Sequence, residues 1–241
     1  MLVEPRRTRR GDALAVLPAT EPREQFTLQR GAVTGFEPAS DDAVDAPREA
    51  RFTVAFTGTL SGMRDAGTLL EAVAGLVREA PEARERMRVV LAGPHDDEWP
   101  NLARSLGITD VVQLPGPLPH GATRALQHSA DVLLLWKPQG EGFRTMVPGK
   151  TYEYLDSGRP VVALLPAGDE AAGLLERAGG MRLEPGDRAA LQRELLARFR
   201  RWQGGERVPS ARPSWLDEHR RDRLAGRLAQ ALDALPSRGR A

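Results

Sequence analysis

The chemically promising groups cluster between residues 137 and 166. There Pro148-Gly149-Lys150-Thr151-Tyr152-Glu153 sets proline and glycine at the first turn of a predicted short helix, an ammonium beside them and a carboxylate one turn further on. Gly158 ends the stretch, so it carries proline at its start and glycine past its end. Backbone N–H groups at a helix start lack intrahelical partners and attract anions, and Lys150 adds a full positive charge to them. Glu153, on the same face, offers oxygens that accept hydrogen bonds from sugar hydroxyls. Lys137 and Lys150 are the two lysines among 34 basic residues, so an amine kept at a helix start stands out. Lys150 and Glu153 also fit a solvated i,i+3 ion pair. The residues alone weigh these two readings equally.

Other signatures fail on spacing. Gly149-Lys150-Thr151 ends like a phosphate-binding loop, but Arg144 stands where that loop requires glycine. A dinucleotide fingerprint starting at Gly140 needs glycine at 145 and meets Thr145. In Gly58-Thr59-Leu60-Ser61-Gly62 the serine is out of register for a hydrolase elbow. His95-Asp96-Asp97-Glu98 reads as acidic capping of the next helix, because adjacent residues seldom converge on one metal ion. His120 and His128 are too far apart for an i,i+4 metal pair, and His120 is expected at the surface. No metal site and no cofactor are expected. The absence of cysteine removes disulfides, thiolate zinc sites and thiol nucleophiles.

These groups need a frame. Apolar runs at 53–56, 88–91, 111–114, 132–136 and 161–165 lack polar alternation, as strands buried on both faces do. Helical spacing fills the gaps, with Leu69, Leu70, Val73, Leu76 and Val77 the first example and others near 97–106, 119–128, 149–157, 169–178, 187–202 and 214–234. The alternation predicts an α/β fold with a doubly wound, Rossmann-like parallel sheet. Gly58, Gly93 and Gly116 each follow the carboxyl end of a predicted strand, the edge where such sheets bind ligands. One such glycine makes a turn. Three in equivalent places favour a nucleotide-type ligand.

The 241 residues suit one large domain with a tail. Residues 1–50, with the basic run Arg6–Arg10 and scattered prolines, read as an irregular arm or linker; 51–203 is the predicted domain and 204–241 a linker with an amphipathic helix. Trp215, Leu216, Leu224, Leu228, Leu232 and Leu235 form a stripe expected to pack back on the sheet. A formal charge of +1 demands no nucleic-acid partner. Neither a membrane-spanning run nor a signal-peptide core is evident, and a cytoplasmic location is expected.

The order of motifs adds a family. Phe56-Thr57-Gly58-Thr59, Gly62-Met63-Arg64-Asp65, Leu91-Ala92-Gly93, Val111-Val112-Gln113-Leu114-Pro115-Gly116 and above all 148–161 occur in sequence. With them, residues 51–203 resemble the C-terminal, donor-binding half of a GT-B glycosyltransferase of the family 4 type. Thr34-Gly35-Phe36-Glu37-Pro38 is similar to that family's lead-in to the domain. The resemblance implies a UDP- or GDP-sugar donor, retention of anomeric configuration and no metal. It implies Arg64 and Lys150 as the cations on the diphosphate, with Gly149 adding helix N–H groups and Gly58 and Thr59 forming the loop beside the phosphates. Glu153 would hold the ribose hydroxyls, and Gly93 with the Leu114-Pro115-Gly116 turn would flank the nucleoside. The family's usual E-x7-E pair meets Thr145 at its first position, with Glu141 out of register. Residues 1–50 are too few for the acceptor-binding domain, so activity is expected to need such a domain or a partner chain. A non-catalytic nucleotide-binding module of the same fold is the alternative. An unrelated ATPase or reductase is disfavoured by the failed phosphate and dinucleotide registers.

Overall fold

The structure is a computed structural model that describes residues 35–38, 50–60, 66–138, 140–209 and 211–234. The apolar runs form β1 (Phe52–Thr57), β2 (Met87–Ala92), β3 (Val112–Gly116), β4 (Val132–Leu135) and β5 (Val161–Leu164), and β6 (Met181–Leu183) follows. All pair in parallel in the order β3-β2-β1-β4-β5-β6. This is the doubly wound α/β sheet that the sequence predicts. The central strands are buried throughout because helices cover both faces. Edge strand β3 alternates instead: its Gln113 and Pro115 face solvent, where a proline without an N–H interrupts no inner ladder. β6, at the other edge, escaped the sequence reading because Met181 is exposed, Arg182 and Leu183 are only partly buried, and the three form no apolar run.

Eight helices connect and flank the strands among the described residues: α1 (Ala66–Glu79), α2 (Ala83–Arg86), α3 (Glu98–Ser105), α4 (His120–Ser129), α5 (Gly149–Ser157), α6 (Glu170–Arg177), α7 (Arg188–Gln203) and α8 (Arg221–Asp233). Phe52, Val54 and Phe56 of β1 join one apolar layer with α1, α3 and α7, whereas Ala55 joins the other with α5 and α6. Burial of side chains such as Leu69, Val73, Leu191 and Leu195 in the first layer contributes about 1.5–3 kcal/mol each. β1 and β4 lie side by side and their following helices depart to opposite faces, so the switch point of the sheet falls between their carboxyl ends.

The C-terminal stretch differs from the single helix predicted over 214–234. A 3-10 turn at Ser214–His219 and α8 are separated by an extended Arg220, which pairs with Phe36. The Phe36 N–H donates to the His219 carbonyl (3.3 Å) and the Arg221 N–H to that of Phe36 (3.1 Å), taking groups a continuous helix would use. Leu216 is buried and Trp215 packs against the second layer, but α8 buries no residue, and Leu228 and Leu232 are exposed. The stripe therefore packs on the domain in its first half only. Arg6–Arg10, Arg64 and Leu235 lie outside the described residues. No helix among those described is long and apolar enough to cross a membrane.

Candidate functional site

The frame for the site is the pair of loops leaving β1 and β2. The Gly58 N–H donates to the Ala92 carbonyl and the Leu60 N–H to that of Pro94, both at 2.8 Å, so the loops run on together past the sheet. Gly93 has a φ of +152°, and a Cβ there would lie 1.9 Å from the Gly58 carbonyl oxygen. No other residue fits that approach. The His95 ring donates to the Gly93 carbonyl (3.2 Å), so this histidine braces the turn. Asp97 does occupy the N-cap of α3 but makes no side-chain cap, contrary to the capping expected of the His95–Glu98 run. Gly116 continues the row, because Ala92 pairs with Gly116 on β3. Leu114-Pro115-Gly116 is the end of that strand rather than a turn, and the Leu114 side chain packs on the core.

Lys150 reaches this row from the first turn of α5. Pro148 is the N-cap, and no side chain caps the helix. The Lys150 Nζ sits 3.7 Å above the Phe56 ring centroid and 2.9 Å from where a Gly58 Cβ would stand. Phe56 is seated in turn on Trp136, stacked at 3.9 Å, with Trp99 beyond it. A ring face attracts a cation, but the apolar surroundings remove its water. Burial therefore pushes the Lys150 pKa down to about 7, against the pull of the Glu153 carboxylate. Among the described residues no carboxylate forms an ion pair with this amine. The solvated i,i+3 pair is not what forms: Glu153 turns to Gln127, whose Nε2 donates to its Oε2 at 2.9 Å.

The other lysine has a structural task. Lys137 Nζ forms a buried ion pair with Asp169 (2.7 Å) and donates to the carbonyls of Phe143 (2.6 Å) and Met146 (2.5 Å). Asp169 in turn caps α6 through the Ala171 N–H at 2.9 Å. Lys137 thereby pins the loop entering α5. Glu141 in that loop is exposed and paired weakly with Arg144 (3.5 Å), and Thr145 is exposed.

The structure thus brings together Gly58, Gly93, Gly149 and Lys150 at the carboxyl edge, with Gly116 in the neighbouring strand and Glu153 one turn below the amine. Thr59 is exposed in the same loop. Two participants went unread in the sequence. Phe56 passed as a core residue. Gln127 drew no reading at all, although Arg124, Gln127 and His128 of α4 are all buried. The signal for Phe56 was its place two residues before Gly58; for Gln127 no local signal exists. His128 contrasts with exposed His120: its Nε2 lacks a hydrogen-bond partner, and burial lowers its pKa. A groove of about 270 Å³ at the opposite edge of the sheet, between Gly158, Pro160, Gly180, Arg198 and Val208, contains none of the groups assembled around Lys150.

A sequence model of one family, Glycosyl transferases group 1, matches residues 51–200. The chain belongs to that family. The chain is 28% identical over 149 residues to a D-inositol 3-phosphate glycosyltransferase of Corynebacterium kroppenstedtii, a match covering 56% of the chain and 32% of the relative. It spans about a third of the length of the curated relatives it matches. Among solved structures, Anabaena HepE in complex with UDP and glucose shares the fold with a TM-score of 0.59 at 19% identity, over 77% of this chain and 49% of that one. The C-terminal domain of LpcC, a glycosyl transferase group 1 family protein of Francisella tularensis, aligns with a TM-score of 0.50 at 16% identity, over 72% of this chain and 93% of that domain. What the group 1 chain shares with these proteins is the C-terminal half-domain of the GT-B fold.

Proposed function

We propose that this chain binds the donor of a glycosyl transfer, a nucleoside-diphosphate sugar, at the carboxyl edge of β1 and the start of α5. UDP is favoured over GDP because the Anabaena structure was solved with UDP. Cleavage of the anomeric C–O bond leaves its electron pair on the diphosphate and positive charge on the sugar. Groups aimed at the diphosphate stabilise that state more than the ground state, which is what accelerates the step. Lys150 and the uncapped N–H groups of Gly149 and Lys150 fill this role, with Arg64 proposed as a second cation. The arrangement carries the leaving-group charge without a metal. Retention of configuration is part of the proposal, as is the assignment of Gly58 and Thr59 to the phosphates, Glu153 to the ribose, and Gly93 with the main chain of Leu114 and Gly116 to the nucleoside. Transfer is proposed to need an acceptor-binding domain, joined or on a partner chain, and to take place in the cytoplasm.

The observation that carries this reading is the Lys150 amine seated on Phe56 beside Gly58, at a helix start that no side chain caps. Lys150→Ala is expected to weaken UDP binding by about 10²-fold, the order expected when one partner of a buried charge pair is truncated. Isothermal titration of both proteins with UDP decides the matter, and equal affinities would refute the reading. Thr145 at the first position of the usual glutamate pair favours a second reading, a nucleotide-binding module without turnover. Sugar release from UDP-glucose by the wild-type chain would rule out this second reading.

A further inference from the structure

We propose that Gln127 is the positioning residue for the ribose-binding carboxylate, holding Glu153 in one orientation and fixing it against the end of β1. The inference rests on the assignment of Glu153 to the ribose. Gln127 is fully buried on α4. Its Nε2 donates to Glu153 Oε2 at 2.9 Å and to Thr57 Oγ1 at 3.0 Å, and its Oε1 accepts from the Arg124 guanidinium at 2.7 Å. Chemistry leaves the amide no second orientation. A guanidinium only donates and a carboxylate only accepts, so the amide oxygen must face Arg124 and its nitrogen must face Glu153.

Arg124 is itself immobilised. It donates to the Asp156 carboxylate within a buried ion pair and to the Glu153 main-chain carbonyl at 3.1 Å, while Asp156 also accepts from Arg212 Nε at 2.9 Å. Thr57, the other partner of Gln127, is held through its N–H to the Tyr154 hydroxyl at 2.8 Å and immediately precedes Gly58. One amide therefore links the loop assigned to the phosphates with the carboxylate assigned to the ribose. Among the described residues Glu153 Oε1 receives no hydrogen bond, which leaves it to meet a ligand hydroxyl. A carboxylate held by one oxygen keeps its plane before the ligand arrives, and a preorganised acceptor binds a diol better than a rotating one.

The test compares UDP with 2′,3′-dideoxy-UDP by isothermal titration of the full chain, for wild type, Gln127→Met and Gln127→Glu. Wild type is expected to prefer UDP by tenfold or more. In Gln127→Met, UDP affinity is expected to fall about tenfold, with that of the dideoxy compound changing less than about twofold, so the preference collapses. A general loosening of the fold would weaken both ligands alike and leave the ratio intact. Gln127→Glu keeps the contact with Arg124 but sets two carboxylates together. Its preference is expected to be lost at pH 8 and regained as the pair takes up a shared proton on acidification. This variant also serves if Gln127→Met does not fold. An undiminished preference in the folded variants overturns the role of Gln127 alone. A wild type with no preference overturns the ribose assignment and this inference with it.

Discussion

Lys150 and Glu153 stand one turn apart on α5 and are held in opposite ways. Glu153 is held by a hydrogen-bonded network behind it, running from Gln127 to Arg124, Asp156 and Arg212. Lys150 has a ring face and a glycine backbone around it and no anionic partner at ion-pair distance among the described residues. At one end the protein already holds one oxygen of the binding group and leaves the other to the ligand; at the other end the amine has only a ring face and backbone beside it. The difference appears in the proton affinity of the amine, since a lysine with a full complement of partners would not be pushed down to about 7.

The contrast can be broken from its frame first. Gly93→Ala places a methyl group against the Gly58 carbonyl in a backbone region closed to alanine, and its cost is expected to exceed about 3 kcal/mol in urea denaturation. Near-wild-type stability would show that the two loops are not locked together. Gly58→Ala is a milder version, because the atom it meets is the far end of the flexible Lys150 side chain.

Next comes the charge itself. Because the folded-state pKa of Lys150 lies below that of the unfolded chain, the unfolded state binds the proton more tightly between about pH 7 and 10. Wild-type stability therefore carries a contribution that rises with pH through that window, with the penalty fully present below pH 7. Lys150→Met is expected to remove that rise, so denaturation curves of the two proteins converge as pH increases. Parallel curves would mean an amine with an ordinary pKa.

On the Glu153 side, Tyr154→Phe deletes the acceptor of the buried Thr57 N–H, and about 1–3 kcal/mol of stability should go with it. The smallest effect is expected far from both ends. Leu232→Ala on the unpacked α8 should change stability by less than about 0.5 kcal/mol, and a larger loss would mean that its stripe is covered in solution.

How much of this was legible in the sequence follows from the range of the interactions. The strands read correctly where both faces are covered, because burial on two sides leaves a continuous apolar run, as in Val132–Leu135. They failed to read at β6, where an edge position leaves one exposed and two half-covered residues. Lys150 was visible because helix-start chemistry is local: proline, glycine and an amine in consecutive positions. Gln127 was invisible because its partners, Thr57 and Glu153, are 70 and 26 positions away in the chain. The break before α8 was hidden likewise, since it depends on Phe36 pairing with Arg220. Leucine spacing across 214–234 announces a helix but says nothing about what arrives to interrupt it.

The most direct test is proton uptake on binding UDP. At pH 8 an amine with a pKa near 7 is mostly neutral, and a bound diphosphate should convert it to the ammonium. Isothermal titration in buffers of different ionisation enthalpy should then show uptake of close to one proton per UDP at pH 8 and almost none at pH 6, with affinity falling as the pH rises above 7. Tight binding of UDP with no uptake at pH 8 and an affinity flat from pH 6 to 9 would contradict the claim that Lys150 grips the diphosphate.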